Sequence, residues 1–404
     1  MDAKSLAIGN NPPRNREHNR RVILDTLRRH GEIGRAEIAR ITRLSTQSVA
    51  NIVKELMEER LIVEIGRRSI GRGQPPIQFA VNPDGPLTAG IELTPDRLVI
   101  AIVDLTGTRR ASTSLTVENS EPDAVAALLM RELPRLLRET GLREPTLLGI
   151  GVVMPGPFGI EGMSSVGPTT LPGWGDVDAA ECLGEALGHT VIVDNDANAA
   201  AVGEHLYGAG SALEDFCVLY FGTGIGLGMF HKGQPYHGAF GNAGEIGHVV
   251  VAPGGRACSC GQHGCLEQYA SLHALRDKLG LKPGEHLDFA EIERLHDEDD
   301  PLLLEWLEEA ARHLLPIVAT LENILDPETI VLGGMLPGRI VDSLIQRLEP
   351  LALSVSDRQK RQVPRVMHGQ TGQFAAALGA ASLPLLETIA PRLVFSTPNA
   401  RFTA

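Results

Sequence analysis

Apolar residues change their spacing three times along the 404-residue chain. From His18 they recur about once per helical turn. Val22, Ile23 and Leu27 form one stripe that stops at Gly31, and Ile38, Ala39 and Ile41 form a second within "GRAEIARIT". A third stripe, Val49, Ile52, Val53 and Leu56, runs through "TQSVANIVKELMEERL", with Ser45 or Thr46 placed as its N-cap. In "LIVEIGRRSIGRGQPPIQFAVN" the rhythm becomes that of two strands flanking a tip rich in Gly and Arg. After Pro86, strands and helices alternate. "LTAGIELTPDRLVIAIVDLTG" predicts two strands around a turn at Thr94 to Asp96 with a third strand behind them, and residues 121–140 predict a helix that Pro134 should break or kink. "LLGIGVVMPGPF" predicts a buried strand, and "HTVIVDND" predicts a strand that feeds directly into the helix "ANAAAVGEHLYG". "FCVLYFGTGIGLGMFHKGQPY" then repeats the design of strand, turn and strand. Two such openings, each followed by helices, predict a duplicated α/β fold with a ligand cleft between its halves.

The first three helices and the hairpin have the spacing of a winged helix-turn-helix. On the third helix the apolar stripe leaves Thr46, Gln47, Ser48, Asn51 and Lys54 outward, short or flexible polar groups suited to base edges and phosphates. Arg67, Arg68 and Arg72 fall at the wing tip, where they can enter a minor groove or grip phosphates. Charge agrees with this reading. Residues 1–80 hold 15 Lys and Arg against 9 Asp and Glu, a balance of +6, which leaves 22 against 41, or −19, for the remainder. The bland alternative is a three-helix interaction module with a solvated basic face. Residues 1–15 are polar and are expected to form a flexible basic arm. The expected domains are therefore this arm, a DNA-binding domain over 16–82, and an acidic α/β domain over 83–404.

Composition excludes several classes. Apolar residues make up 43% and charged residues 22%, as in ordinary soluble proteins. No run of eighteen apolar residues occurs, and no apolar stretch precedes a small-residue cleavage site, so a cytoplasmic protein without membrane contact is expected. Five cysteines, two of them (Cys182 and Cys217) distant from the rest, do not form a disulfide framework.

The other three lie in "HVVVAPGGRACSCGQHGCLEQ". Zinc prefers four ligands in a tetrahedron, with thiolate and imidazole as its usual structural partners. His248, Cys258, Cys260 and Cys265 supply that set, and the glycines among them let the backbone wrap tightly. One structural zinc per chain is expected to pin a loop that has few apolar residues to hold it. The competing reading is a cluster of free buried thiols. Fixing these ligands would also fix Glu245, three residues before the histidine, and Glu267, two after the last cysteine.

"MPGPF", "LPGW", "DNDANAAAVGE", "FGTGIGLG", "GNAGEIGH", "CSCGQHGCLEQYAS", "IVLGG" and "AALGAA" occur in the order seen in ROK proteins, and nearly the whole chain resembles that family of repressors, open reading frames and sugar kinases. The resemblance implies a two-lobed actin-like (ribonuclease-H-like) ATPase fold, with the zinc loop spanning 245–267. It also implies that Asn195, Asp196, Glu245, His248 and Glu267 hold a sugar's hydroxyls. That chemistry is sound: zinc-bound imidazole offers its other nitrogen as an oriented donor, and carboxylates accept strongly from vicinal hydroxyls. The N-terminal helix-turn-helix resembles the repressor branch. Where the family often shows Asn before "LPGW", this chain has Thr170, which leaves the sugar's identity open.

The same resemblance bears on catalysis. In the family's kinases the aspartate matching Asp196 is the general base, and two glycine-rich turns cradle ATP. "GTGIG" at 222–226 matches the second turn, but where the kinases read Asp-x-Gly-Gly-Thr this chain reads Glu92, Leu93, Thr94, Pro95, Asp96. Proline removes a backbone donor, and a carboxylate about 4 Å from a phosphate charge is repelled by several kcal/mol at an effective dielectric near 20. The expectation is a sugar-responsive DNA-binding repressor without enzymatic activity, acting as a homodimer or tetramer on double-stranded operator DNA. A weak or bifunctional ATP-dependent sugar kinase is the alternative.

Overall fold

The structure, a computed structural model, describes residues 12–67, 76–156, 171, 173–175, 177–282, 287, 289–358 and 360–389. Helix α1 (Pro12–His30), the short strand β1 (Ile33–Gly34), α2 (Arg35–Thr42) and α3 (Thr46–Glu58) lead into β2 (Ile62–Arg67) and β3 (Ile77–Val81), which pair antiparallel. Ser45 caps α3 by accepting from the Ser48 N–H at 3.1 Å. Ile23, Leu24 and Leu27 of α1 meet Ile38, the Val49, Ile52, Val53 and Leu56 stripe, and Phe79 of β3 in one core.

Two sequence expectations need correction. Helix α1 begins at Pro12, so residues 12–15 belong to a helix and not to the arm. No apolar stripe announces this extension; just after it, Arg16 pairs with Glu55, and Arg20 bonds Glu59 at 2.8 Å and Glu55 at 3.5 Å. The second correction is that α4 (Pro122–Glu139) runs unbroken through Pro134. Pro134 lies on the solvent face, where water can take the carbonyl its missing N–H leaves free, while Leu133 and Leu136 bury the opposite face.

The rest is built twice. Strands β4 (Leu87–Leu93), β5 (Arg97–Val103) and β6 (Arg109–Thr116) form an antiparallel meander, to which β7 (Leu147–Met154) and β8 (Val191–Asn195) add in parallel on the other side of β4. The sheet order is thus β6-β5-β4-β7-β8. Strands β9 (Phe216–Phe221), β10 (Ile225–His231), β11 (Gln234–Pro235), β12 (Thr329–Gly334) and β13 (Val366–His368) repeat the plan as β11-β10-β9-β12-β13. Helix α5 (Ala179–Leu187) precedes β8 and α6 (Asp196–Tyr207) follows it. Helices α7 (Glu267–Ala270), α8 (Leu272–Lys278), α9 (Phe289–Asp297) and α10 (Pro301–Leu325) lie between β11 and β12, α11 (Gly338–Arg347) lies between β12 and β13, and α12 (Ala375–Ile389) ends the described chain.

Helices α6 and α12 pack on each other between the sheets. The fit leaves no room for a Cβ: one added at Gly379 would lie 1.8 Å from the Ala199 carbonyl oxygen. One added at Gly90 of β4 would lie 1.8 Å from that of Ala377, and one at Gly228 of β10 would lie 2.1 Å from that of Ala197. The sheets therefore meet the two helices backbone to backbone. The N-terminal head shares this framework, because Leu105 and Leu385 sit in its core, with Leu148 and Tyr207 packed against it. Among the described residues, no helix is long and apolar enough to cross a membrane.

Candidate functional site

His248 ends a short 3-10 turn (Ile246–His248), and the three cysteines follow in a loop tied by the bridges Val250–Cys265 and Ala257–His263. One ligand atom from each of His248, Cys258, Cys260 and Cys265 lies within 4.8 Å of all the others. The Cys260 and Cys265 sulfurs are 3.7 Å apart, and the Cys258 sulfur is 3.6 Å from His248 Nδ1. A tetrahedral ion with Zn–S near ~2.3 Å and Zn–N near ~2.0 Å needs edges of about this length, so the donor set fits a metal. Gly264 makes the wrap possible: its φ is +82°, and a Cβ there would lie 1.7 Å from the Ala252 oxygen.

The two neighbouring glutamates come in as their spacing implied. Glu267 opens α7, is buried, and stands 3.0 Å from the Cys258 sulfur and 3.6 Å from His248 Nδ1. Glu245 lies on the other edge of the ring, 4.0 Å from His248 Nε2. With Nδ1 turned to the cysteines, Nε2 is the nitrogen left to face a ligand.

Asn195 and Asp196 reach the same place from the start of α6. Asn195 caps that helix, accepting from Ala197 N–H at 2.9 Å, while its Nδ2 and Glu245 Oε1 both approach Gly156. A Cβ at Gly156 would lie 3.1 Å from the first and 3.0 Å from the second, so this glycine keeps open the space they share. Asp196 is half-buried. Burial pushes its carboxyl up to about 7, with the charges of Glu92 and Glu245 adding to the effect and the Ala197 N–H opposing it. Glu245 is also raised, by burial first and then by Glu267, against the pull of His248. All five predicted ligand residues thus converge on one acidic hollow beside the metal cluster. Thr170 lies outside the described residues.

Sequence reasoning missed a pair behind this hollow. His237 Nε2 is 2.9 Å from Asp194 Oδ2, and the bond raises the histidine above its ordinary value. Asp194 Oδ1 accepts from the Asn195 N–H at 2.7 Å and from Asn198 Nδ2 at 3.3 Å, which braces the start of α6. Nothing in the chain pairs two residues 43 positions apart, although an aspartate at a strand end before "NDAN" was a signal.

The first glycine-type turn is closed upon itself. Thr94 gives its N–H to the Arg97 carbonyl at 2.9 Å and its hydroxyl to Asp96 at 3.0 Å, and Pro95 has no N–H to give. Asp96 faces Arg276 at 3.9 Å, so its charge is countered and the loss of donors outweighs the repulsion expected from sequence. Beneath the turn, Tyr220 donates to Glu92 Oε1 at 2.9 Å, and its ring presses on Gly222 and Gly334.

On the head, Thr46, Gln47, Asn51 and Lys54 are exposed along α3, with Gln47 Nε2 donating to Asn51 at 3.1 Å. Ser48 is half-buried, and its hydroxyl is engaged with that of Ser45 at 2.9 Å in the cap. Arg68, Arg72 and the Arg67 side chain lie outside the described residues.

The ROK family model matches residues 88–386, and a winged helix-turn-helix DNA-binding model matches residues 16–63. The xylose repressor of Bacillus subtilis (strain 168) is 27% identical over 368 residues, which covers 90% of this chain and 94% of that protein. A crystal structure of a ROK family transcriptional regulator, a homologue of the Escherichia coli MLC protein, superposes with a TM-score of 0.72 at 23% identity, covering 93% of this chain and 98% of that one. The ROK hexokinase from Thermus thermophilus, 30% identical, covers 74% of this chain and 98% of its own with a TM-score of 0.56. The duplicated sheets, the His/Cys cluster and the hollow beside it therefore have one explanation: the chain belongs to the ROK family.

Proposed function

We propose that this protein is a transcriptional repressor that binds operator DNA through its N-terminal head and releases or tightens that grip when a sugar enters the acidic hollow. The observation that carries this reading is a single framework. The head's core includes Leu105 and Leu385 of the α/β unit, whose helix α6 starts at Asn195 and Asp196 and ends at Tyr207 against the head. The full-length likeness to a xylose repressor supports a sugar as effector.

In this reading Glu245 and Glu267 accept from sugar hydroxyls, His248 Nε2 and Asn195 Nδ2 supply donors, and Asp196 completes the ring of contacts. Zinc is held by His248, Cys258, Cys260 and Cys265, and when bound it anchors the loop and fixes which histidine nitrogen faces the sugar. Gln47 and Asn51 read base edges, Thr46, Ser48 and Lys54 meet the backbone, and Arg67, Arg68 and Arg72 reach the adjacent groove. A homodimer sets two such heads about 34–36 Å, or a multiple of that, apart on a palindromic site. The sugar switches the protein only by binding one arrangement better, with coupling of about 1–3 kcal/mol.

A kinase reading is disfavoured because in the first turn the Thr94 N–H is taken by the Arg97 carbonyl and Pro95 has none to offer a phosphate, and phosphoryl transfer depends on such positioning. The test is selection of bound duplexes from a random library with the zinc-loaded full chain, followed by titration of the recovered site with monosaccharides. Sequence-specific binding that falls steeply with salt and changes with one sugar is expected. Formation of ADP from ATP and a hexose, with no duplex recovered, refutes the proposal.

A further inference from the structure

Two segments bring the predicted sugar ligands to the hollow, and one side-chain bond ties them together. Asn195 and Asp196 stand where β8 passes into α6, whereas Glu245 and His248 follow β11 on a loop from the other sheet. His237 begins that loop, and its Nε2 lies 2.9 Å from Asp194 Oδ2 near the end of β8. Its carbonyl accepts from the Ala243 N–H at 3.1 Å, which closes residues 237–243 into a turn just ahead of Glu245. On the far side Gly244, with φ +99°, is pressed onto β10: its carbonyl accepts from the Leu227 N–H at 2.9 Å, and a Cβ there would lie 2.0 Å from the Leu227 oxygen. Apolar packing does not hold the tip between these anchors, since Phe240 is 85% exposed.

Asp194 passes the constraint on. Its Oδ1 accepts from the Asn195 N–H at 2.7 Å and from Asn198 Nδ2 at 3.3 Å, so both carboxylate oxygens are engaged. Asn198 is 1% exposed and its Oδ1 has no partner, so a turn of Asp194 would strand the rest of that amide inside. The Ala197 and Asn198 N–H groups donate in turn to Asn195 Oδ1, which leaves Asn195 Nδ2 at Gly156, where Glu245 Oε1 also approaches. The contacts therefore run from one imidazole to both sides of the space a sugar hydroxyl would fill. Asp194 is the charged group acting on that imidazole; Asn198 is a neutral amide, and Glu245 at the other end of the loop stands 4.0 Å from His248. A hydrogen bond with charged partners is about twice as strong as a neutral one, and a site already held in its bound geometry loses less affinity to ordering.

We infer that His237 is a positioning residue for the effector: its charged bond to Asp194 holds the start of α6 and the Glu245 loop in one arrangement, and the sugar binds more tightly while that imidazole carries its proton. The inference rests on the sugar reading of the hollow. The bond to Asp194 lifts the imidazole above its ordinary value against the effect of burial, and the charge of Asp194 adds to the lift. The contribution is therefore full at acid pH and is lost as pH rises through the raised value.

The test uses the zinc-loaded full chain with isotopically labelled histidines. In nuclear magnetic resonance spectra the imidazole signal that His237→Gln removes should titrate above the ordinary histidine range, and Asp194→Asn should return it toward that range. Calorimetric titration with D-xylose, D-glucose and N-acetylglucosamine then reads the effect on the sugar. Below the His237 midpoint, His237→Ala should weaken binding about tenfold. His237→Gln, which still donates but carries no charge, should fall between His237→Ala and the parent there, and match the parent above the midpoint. Dividing the parent's affinity by the variant's at each pH removes the titration of Asp196, which both share. By reciprocity, bound sugar should move the His237 midpoint to higher pH. In an Asp194→Asn background the His237 substitutions should change nothing further. A ratio of parent to His237→Gln that stays at unity at every pH, while Glu245→Ala still loses the sugar, overturns the inference and leaves the sugar site standing. If the parent binds none of the three sugars, or Glu245→Ala binds as the parent does, the sugar reading falls and the inference with it.

Discussion

The hairpins β4–β5 and β9–β10 occupy equivalent places in the two sheets, and their turns differ in nearly every respect that matters to a ligand. The second keeps Gly222, Thr223 and Gly224, with the Gly222 N–H bonded within the turn at 3.1 Å. The first has Thr94, Pro95 and Asp96: the Thr94 N–H and hydroxyl are bonded within the turn, Pro95 has no N–H, and the Asp96 carboxylate faces Arg276. The strands behind both turns are nonetheless built alike: each hairpin carries a glycine, Gly90 or Gly228, pressed onto a central helix. Packing against α6 and α12 tolerates no side chain at either glycine, whereas the turns beyond them differ in sequence. A scaffold can thus keep its frame while its chemistry is replaced.

The difference is largest at the His/Cys loop of the second half, which has no counterpart among the described residues of the first. If the cluster holds zinc as proposed, removing it with a chelator, like Gly264→Ala at a positive φ, should unfold the loop and lower the melting temperature more than any other change described here. Calorimetry with parallel zinc analysis reads both effects, and metal binding of this kind contributes directly to folding. Next in size, Gly90→Ala and Gly228→Ala force a backbone shift and should each cost about 3 kcal/mol or more in urea unfolding. If only one of them destabilises, the two hairpins are not equivalent in packing.

Acid–base behaviour gives a smaller effect with a definite sign. A carboxyl raised to about 7 in the folded chain holds its proton more tightly than the unfolded chain does. Its contribution is full below the ordinary carboxylate range near ~4 and is lost as pH rises through 7. Asp196→Asn should therefore gain stability relative to the parent over that window, on the order of a few kcal/mol, and the difference should level off above it. A flat difference between the two unfolding curves contradicts the buried-acid assignment. His205, stacked on Phe230 at 4.3 Å, shows the reverse case: burial, with Arg28 and Arg29, lowers it to about 4, so it is neutral over all but the acid edge of that window. The smallest effects lie on the head. Lys54→Ala should weaken binding of all duplexes about evenly and reduce the salt slope by about 1, while Gln47→Ala should change which base is preferred by about 1–3 kcal/mol.

Much of this was legible in the chain because it depends on neighbours in sequence. The stripe of Val49, Ile52, Val53 and Leu56 marks α3 since helical spacing decides which face is buried. His248, Cys258, Cys260 and Cys265 mark the metal cluster since all four lie in one loop. The extension of α1 to Pro12 was not legible because its first turn carries no apolar stripe, and the unbroken passage through Pro134 because solvent exposure on one face is a tertiary property.

What the sequence determined by itself was the set of local parts: three helices and a wing, two strand hairpins, a loop with a metal-type ligand set, and a first turn in which proline replaces glycine. Only the tertiary structure decided that Glu92 meets Tyr220 across 128 positions, that His237 braces Asp194, and that α6 joins the acidic hollow to the DNA-reading head. The reason is physical. Periodicity and turn chemistry act over a few residues, whereas burial of a charge depends on whichever distant segments close over it.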